Sequence, residues 1–178
     1  KVGVAYPEQV PDIAILDPMI PATMPPRVTA NTGIDALSHA LEGYTTKLAN
    51  DFTDAVSLYA IGLIFRYLPR AYRDGADLEA RAKMHNASCL AGIALANAGA
   101  GIMHSLGQAL AAQYGIPHGA SLSIFMVPCI EFNARDIAHR YANVARVLGV
   151  EGGDDQESVQ RLIEKIRELQ ELLDLGNL

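Results

Sequence analysis

The distribution of proline constrains this chain more than any other feature. Six of its nine prolines, Pro7, Pro11, Pro18, Pro21, Pro25 and Pro26, fall within the first 26 residues. Each removes a backbone donor and fixes its own φ, so no long helix runs through that spacing. Residues 1–28 therefore read as an extended, Pro-rich arm. Within it Ile13-Ala14-Ile15-Leu16 has the look of a short strand, stopped by Asp17-Pro18. A lone strand has no sheet to join. It either pairs with a part outside this chain or stays an extended arm.

Beyond Pro26, apolar residues recur at helical spacing. Ala36, Leu37, Ala40, Leu41 and Tyr44 mark one helix. Thr32 is its expected N-cap and Gly33 its first residue, with Asp35 three positions on in the place of the usual Glu. A second helix opens at Asp51 or Thr53 and ends before Pro69 or near Gly75. A third runs from about Leu78 into Ala96. Asn97–Gly101 either kinks it or joins it to a fourth helix holding His104 to Tyr114. Gly115-Ile116-Pro117 then breaks the chain and places His118 at a helix start. Two further helices are expected at Ala134–Leu148 and Gln156–Leu173. No period-two series follows residue 28, so the class is all-α, a multi-helix domain behind an extended N-terminal arm. At 178 residues the chain is one domain, which buries roughly 70% of its unfolded surface and needs neither disulfide nor metal merely to fold.

Charge and cysteine usage narrow the function. Fourteen basic and twenty acidic residues give a net charge of −6, and a domain this acidic lacks the basic face that nucleic acid requires. Cys89 and Cys129 sit far apart, as reduced buried thiols of a cytoplasmic protein do. The longest apolar stretch, Ala120 to Ile130, is interrupted by Ser121, Ser123 and Pro128 and is too short to span a bilayer. No membrane partner is expected, and Lys1 to Pro11 lacks a signal-peptide core. A first residue other than methionine and an end in Leu-Gly-Asn-Leu read as cuts through a longer chain.

The candidate chemistry lies in four residues. Asp35 and His39 are four apart on one expected helix, which puts a carboxylate and an imidazole on the same face. Such a pair can chelate an ion, but it also reads as an Asp–His hydrogen bond or a solvated face. His104 follows the small and apolar run Gly99-Ala100-Gly101-Ile102-Met103, and His118 stands between Pro117 and Gly119. A helix of about ten residues and a short reversal can bring the two imidazoles together, although a neutral core histidine is the plainer reading of His104. Three histidines and one carboxylate suit Fe(II), Zn(II) or Ni(II) better than Mg(II) or Ca(II). His85 and His139 read as surface or boundary residues. The nucleophile elbow, the P-loop, a complete dinucleotide fingerprint and the H-E-x-x-H motif are all absent.

The stretch Thr32 to Tyr44, read with Ala98 to His104 and Pro117-His118-Gly119, resembles the two signatures of the iron-containing alcohol dehydrogenases. Leu16-Asp17-Pro18, Asn133, Tyr141 and Leu148-Gly149 fit the same resemblance. It implies that Asp35, His39, His104 and His118 hold the metal, with Fe2+ the expected ion and Zn2+ or Ni2+ as alternatives. It implies a dehydroquinate synthase-like helical domain over residues 29–178, truncated at its C-terminus. The arm would be the remnant of an interdomain junction, and an N-terminal domain binding NAD(P) would be absent from this chain. Leu95 and Gln108 become candidate cofactor contacts, Gln108 also a candidate substrate contact. Many members carry a histidine where Gln108 stands, and glutamine cannot shuttle a proton near neutral pH. The implied activity is interconversion of a small alcohol and its aldehyde in the cytoplasm, the isolated chain turning over weakly or not at all, with homo-oligomers possible. A helical metal-dependent hydrolase and an inactive metal-binding fragment are the rival readings.

Overall fold

The structure, a computed structural model, describes residues 11–175. The first ten residues of the arm and the last three of the chain lie outside it. Six α-helices follow in order: α1 (Pro26–Thr45), α2 (Asp51–Arg73), α3 (Leu78–Ala98), α4 (Ile102–Tyr114), α5 (His118–Val147) and α6 (Asp155–Leu172). Among the described residues there is no strand, which matches the all-α expectation.

α1 is the central helix. It packs against α2 and α3 on one side and against α5 on the other, and α5 in turn packs on α4 and α6. Its side chains show why. From Gly33 to Tyr44 every residue is buried except Asp35 and His39. Ile34, Leu37, Leu41 and Tyr44 are at most 2% exposed. A helix buried almost all round belongs in the middle of a domain. The only opening along that stretch lies on the Asp35–His39 stripe.

Small residues let the neighbouring helices come close. α3 buries Ala87, Ala91, Ala94 and Ala98, and Gly43 lies where a Cβ would stand 2.8 Å from Cβ of Ala94. The hydroxyl of Thr46 donates to the carbonyl of Ala98 at 2.8 Å and ties the ends of α1 and α3 together. Across the other interface, the Arg140 guanidinium of α5 lies 3.8 Å over the Tyr44 ring and pairs with Asp54 of α2.

Several local expectations are corrected. α1 starts at Pro26, three residues inside the stretch read as arm, with Pro25 as N-cap. Thr32 is therefore not a cap. It sits inside the helix, its hydroxyl donating to the carbonyl of Val28 at 2.9 Å. Pro26 is tolerated because the first turn has no partner for the missing N–H. Ile13 to Leu16 forms no strand, and Ile13 and Ile15 are 80% and 85% exposed; among the described residues no second strand offers them a ladder. Among its described residues the arm instead contains one 3-10 turn, Ile20–Thr23. Its end is pinned by buried Arg81, which donates to the carbonyls of Met24 and Gly75 and to the hydroxyl of Thr29.

α2 opens at Asp51 under a reciprocal cap between Asn50 and Thr53. It runs through Pro69 to Arg73, and Pro69 forgoes the helical bond to the Phe65 carbonyl. The expected helix at Ala134–Leu148 is the second half of a longer one. α5 starts at His118, passes Pro128 and bends at Ile137 (φ −128°, ψ 36°). α6 begins one residue before the expected Gln156, and the side chain of Asp154 caps it by accepting from Glu157 N–H. α3 and α4 meet at 108°, and among the described residues no single helix is long and apolar enough to cross a membrane.

Candidate metal centre

The opening on α1 is where three histidines meet. Asp35 and His39 stand one turn apart on α1. His104 is the third residue of α4, and His118 is the first residue of α5. The bend between α3 and α4 turns the start of α4 toward α1. Gly115, at φ 67°, ends α4, and Ile116-Pro117 returns the chain. α5 then begins directly against the backbone of α1 near Asn31, one turn before Asp35.

The three imidazoles converge on a single carboxylate oxygen. Oδ1 of Asp35 lies 3.4 Å from His39 Nε2, 3.7 Å from His104 Nε2 and 3.6 Å from His118 Nε2. The His39 and His104 rings stack with centroids 4.8 Å apart, and the His118 ring stands tilted 5.6 Å from that of His104. One ligand atom each from Asp35, His39 and His104 lies within 4.8 Å of the others. His118 stands outside that trio, approaching it through Asp35, with its side chain 40% exposed against 13% for His104.

None of these separations is short enough for a good hydrogen bond. Asp35 Oδ1 and His104 Nε2 are both buried without a hydrogen-bond partner. Two orphaned buried atoms of this kind are costly unless something else satisfies them. A cation between them would do so, and three imidazoles with one carboxylate form a donor set for a borderline divalent ion. The residues present therefore fit a metal.

Electrostatics point the same way. Burial pushes the Asp35 carboxyl up, yet the three neighbouring histidines outweigh it and hold Asp35 below its ordinary value. Burial pulls His39 down, against the attraction of Asp35, and favours its neutral form. Burial also opposes the His104 imidazolium, but Asp35 and Glu42 overcome it and raise His104 to about 9. Asp35 and Glu42 thus favour a positive charge at this point, here a proton on His104.

Glu42 is the residue that sequence reasoning missed. It is 5% exposed on α1, and its Oε2 lies 2.6 Å from His104 Nδ1. The signal was present in the spacing: Asp35, His39 and Glu42 stand at i, i+4 and i+7 on one stripe. The other candidates lie apart from this convergence. Gln108 is exposed on α4 one turn after His104, and Leu95 is half-buried near the end of α3. His139 is exposed, and His85 is half-buried with Nδ1 unpartnered. Cys89 and Cys129 are free thiols.

Comparison with known proteins meets this geometry from the outside. The profile of the Fe-containing alcohol dehydrogenase family, C-terminal part, matches residues 29–177. The chain is 44% identical over 172 residues to a 1-propanol dehydrogenase PduQ of Citrobacter freundii, covering 92% of this chain and 46% of that protein. It is 42% identical to an NADPH-dependent butanol dehydrogenase of Clostridium saccharobutylicum, covering 89% of this chain and 40% of that one. Among solved structures, the iron-containing alcohol dehydrogenase of Thermococcus thioreducens superposes with a TM-score of 0.88 at 41% identity, over 97% of this chain and 44% of that chain. The chain thus spans less than half the length of these relatives.

Proposed function

The chain belongs to the iron-containing alcohol dehydrogenase family, and on that premise we propose that it is the metal-binding half of an enzyme interconverting a small alcohol and its aldehyde with NAD(P). Asp35, His39, His104 and His118 hold the ion, Fe2+ before Zn2+ or Ni2+. The single observation that carries this reading is the approach of three Nε2 atoms to one orphaned carboxylate oxygen.

When bound, the ion supplies Lewis acidity, which lowers the pKa of an alcohol hydroxyl and polarises an aldehyde carbonyl. The chain's own residues do the rest of the work on this side. Asp35 brings the negative charge that offsets the cation. The buried length of α1 keeps Asp35 and His39 in fixed register. The exposed side of His118 leaves an approach for substrate. Gln108, exposed one turn after His104, serves as a hydrogen-bonding contact for substrate or nicotinamide, without moving a proton. Leu95 contributes an apolar wall.

The dinucleotide is held by an N-terminal nucleotide-binding domain of the full-length protein, and residues 29–178 form the catalytic helical domain. Short primary alcohols are the substrate class, since the relatives above are named for propanol and butanol. The free thiols of Cys89 and Cys129 suit a cytoplasmic setting.

The test is metal content under anaerobic conditions. Wild-type protein should carry one ion per chain, and Asp35→Ala and His118→Ala should carry far less. Unchanged stoichiometry in both variants would remove the metal centre from the proposal. NAD(P)H-dependent reduction of propanal and butanal by the full-length protein then tests the substrate class.

A further inference from the structure

We propose that Glu42 is a positioning residue for the metal centre: its carboxylate holds the Nδ1–H of His104 and thereby turns the lone pair of Nε2 toward Asp35. The inference rests on the ligand set proposed above and concerns a residue outside that set.

Both oxygens of Glu42 are already committed. Oε1 accepts from the backbone N–H of Met103 at 2.7 Å, and Oε2 contacts His104 Nδ1 at 2.6 Å. Both oxygens are thus turned to the start of α4, and the group whose ligand atoms converge is Asp35, His39 and His104, so Glu42 stands behind the ligands although it lies on the same stripe of α1 as Asp35 and His39. Room for the carboxylate comes from Gly101, where a Cβ would stand 2.6 Å from Oε1. One side chain of α1 thus grips the start of α4 twice, once through the backbone and once through the imidazole.

The chemistry follows from what a carboxylate does. It accepts hydrogen bonds and does not donate them. The proton between Glu42 and His104 therefore belongs to Nδ1. In a neutral ring that leaves Nε2 bare, and Nε2 is the buried atom without a partner, 3.7 Å from Asp35 Oδ1. Among the described residues, His104 is the one histidine of the site whose second ring nitrogen has such an anchor. A ligand histidine backed by a carboxylate is better oriented and more basic toward its ion. Replacing the carboxylate by an amide breaks this logic. Glutamine has one acceptor oxygen for two donors, Met103 N–H and His104 Nδ1–H. If its amide faces the ring, His104 accepts through Nδ1 and places its proton on Nε2, where the ion belongs.

The experiment is a Zn2+ titration against a chromophoric chelator, with wild type, Asp35→Ala, Glu42→Gln and Thr46→Val compared. Zn2+ is the probe because it is diamagnetic and allows NMR of the 15N-labelled histidines in the loaded protein. Glu42→Gln should bind Zn2+ about 10- to 100-fold more weakly while keeping its helical circular dichroism. Thr46→Val removes a neighbouring structural tie that does not touch His104, and should bind within twofold of wild type. In loaded wild type, His104 should show a protonated Nδ1 and a metal-bound Nε2. Zn2+ affinity of Glu42→Gln within twofold of wild type would overturn the role of Glu42. So would a loaded wild-type His104 with its proton on Nε2, a readout that stands even if Glu42→Gln fails to fold. Equal binding by wild type and Asp35→Ala would instead remove the metal centre itself, which separates the two failures.

Discussion

Gly119 lies so close to Asn31 that a Cβ on the glycine would stand 1.9 Å from the Asn31 carbonyl oxygen. This approach seats the first turn of α5 on α1 and brings His118 to Asp35. Gly119→Ala must push the two helices apart, because the obstacle is backbone and has no rotamer to change. The variant should lose about 1–3 kcal/mol of stability, as overpacked sites do. Its Zn2+ affinity should fall as well, since His118 moves with α5. Chemical denaturation and chelator competition on the same preparation check both effects.

Metal should stabilise the fold by mass action. An ion at one hundred times its dissociation constant adds about 2.7 kcal/mol, or roughly 5–10 °C in melting temperature for a chain of this size. Chelator should reverse the gain. Asp35→Ala and His39→Ala should show little or no gain, and differential scanning calorimetry with and without Zn2+ reads this directly.

The metal-free protein should lose stability as pH rises. His104 titrates at about 9 when folded and at an ordinary 6.5 when unfolded. A raised histidine contributes its full stabilisation below pH 6.5 and loses it as pH climbs to about 9. The loss is at most about 3.5 kcal/mol, given about 1.4 kcal/mol per unit. His39, lowered mainly by burial, acts in the opposite sense, and its contribution is lost as pH falls below 6.5. From about pH 9 upward a second decline sets in, because burial pushes the Cys129 thiol to about 11. Urea unfolding in chelator at pH 6.5, 8 and 9 measures the first slope, which should be absent in His104→Gln.

Arg81 should matter for the fold and not for the ion. It is 3% exposed and donates to Thr29, Met24 and Gly75 at 2.7, 2.9 and 3.0 Å. Arg81→Ala leaves those acceptors unsatisfied and opens a void, at a cost of about 2–4 kcal/mol. It should also free the arm, so limited proteolysis near Pro21 to Pro25 should speed up. Zn2+ affinity measured below the unfolding transition should stay within twofold of wild type.

Much of the fold was legible because helices announce themselves locally. Proline kept α-helix out of residues 11–25, helical spacing marked the six segments, and Gly115-Ile116-Pro117 marked the reversal before His118. The misreadings were also local. Thr32 looks like a cap and Ile13 to Leu16 looks like a strand, because cap and strand signals do not state whether the neighbouring turn or the partner strand exists. α1 overrode the first, since Pro25-Pro26 suits a helix start just as well. The second had no ladder to join. α5 was seen in half because Pro128 and the serines at 121 and 123 mask a helix that tertiary burial holds together.

The sequence by itself determined that Asp35 and His39 share one helical face, because an i, i+4 spacing fixes that at short range. It also supplied His104 and His118, each at the start of a helix. Their convergence across the 64 residues between His39 and His104 was decided by the tertiary structure. So was the conversion of Glu42 from one more polar residue on α1 into a buried anchor for His104. The physical reason is that both depend on how closely α4 and α5 pack on α1. That distance is set by which side chains are missing at Gly101 and Gly119, and a helical period carries no information about what lies across an interface.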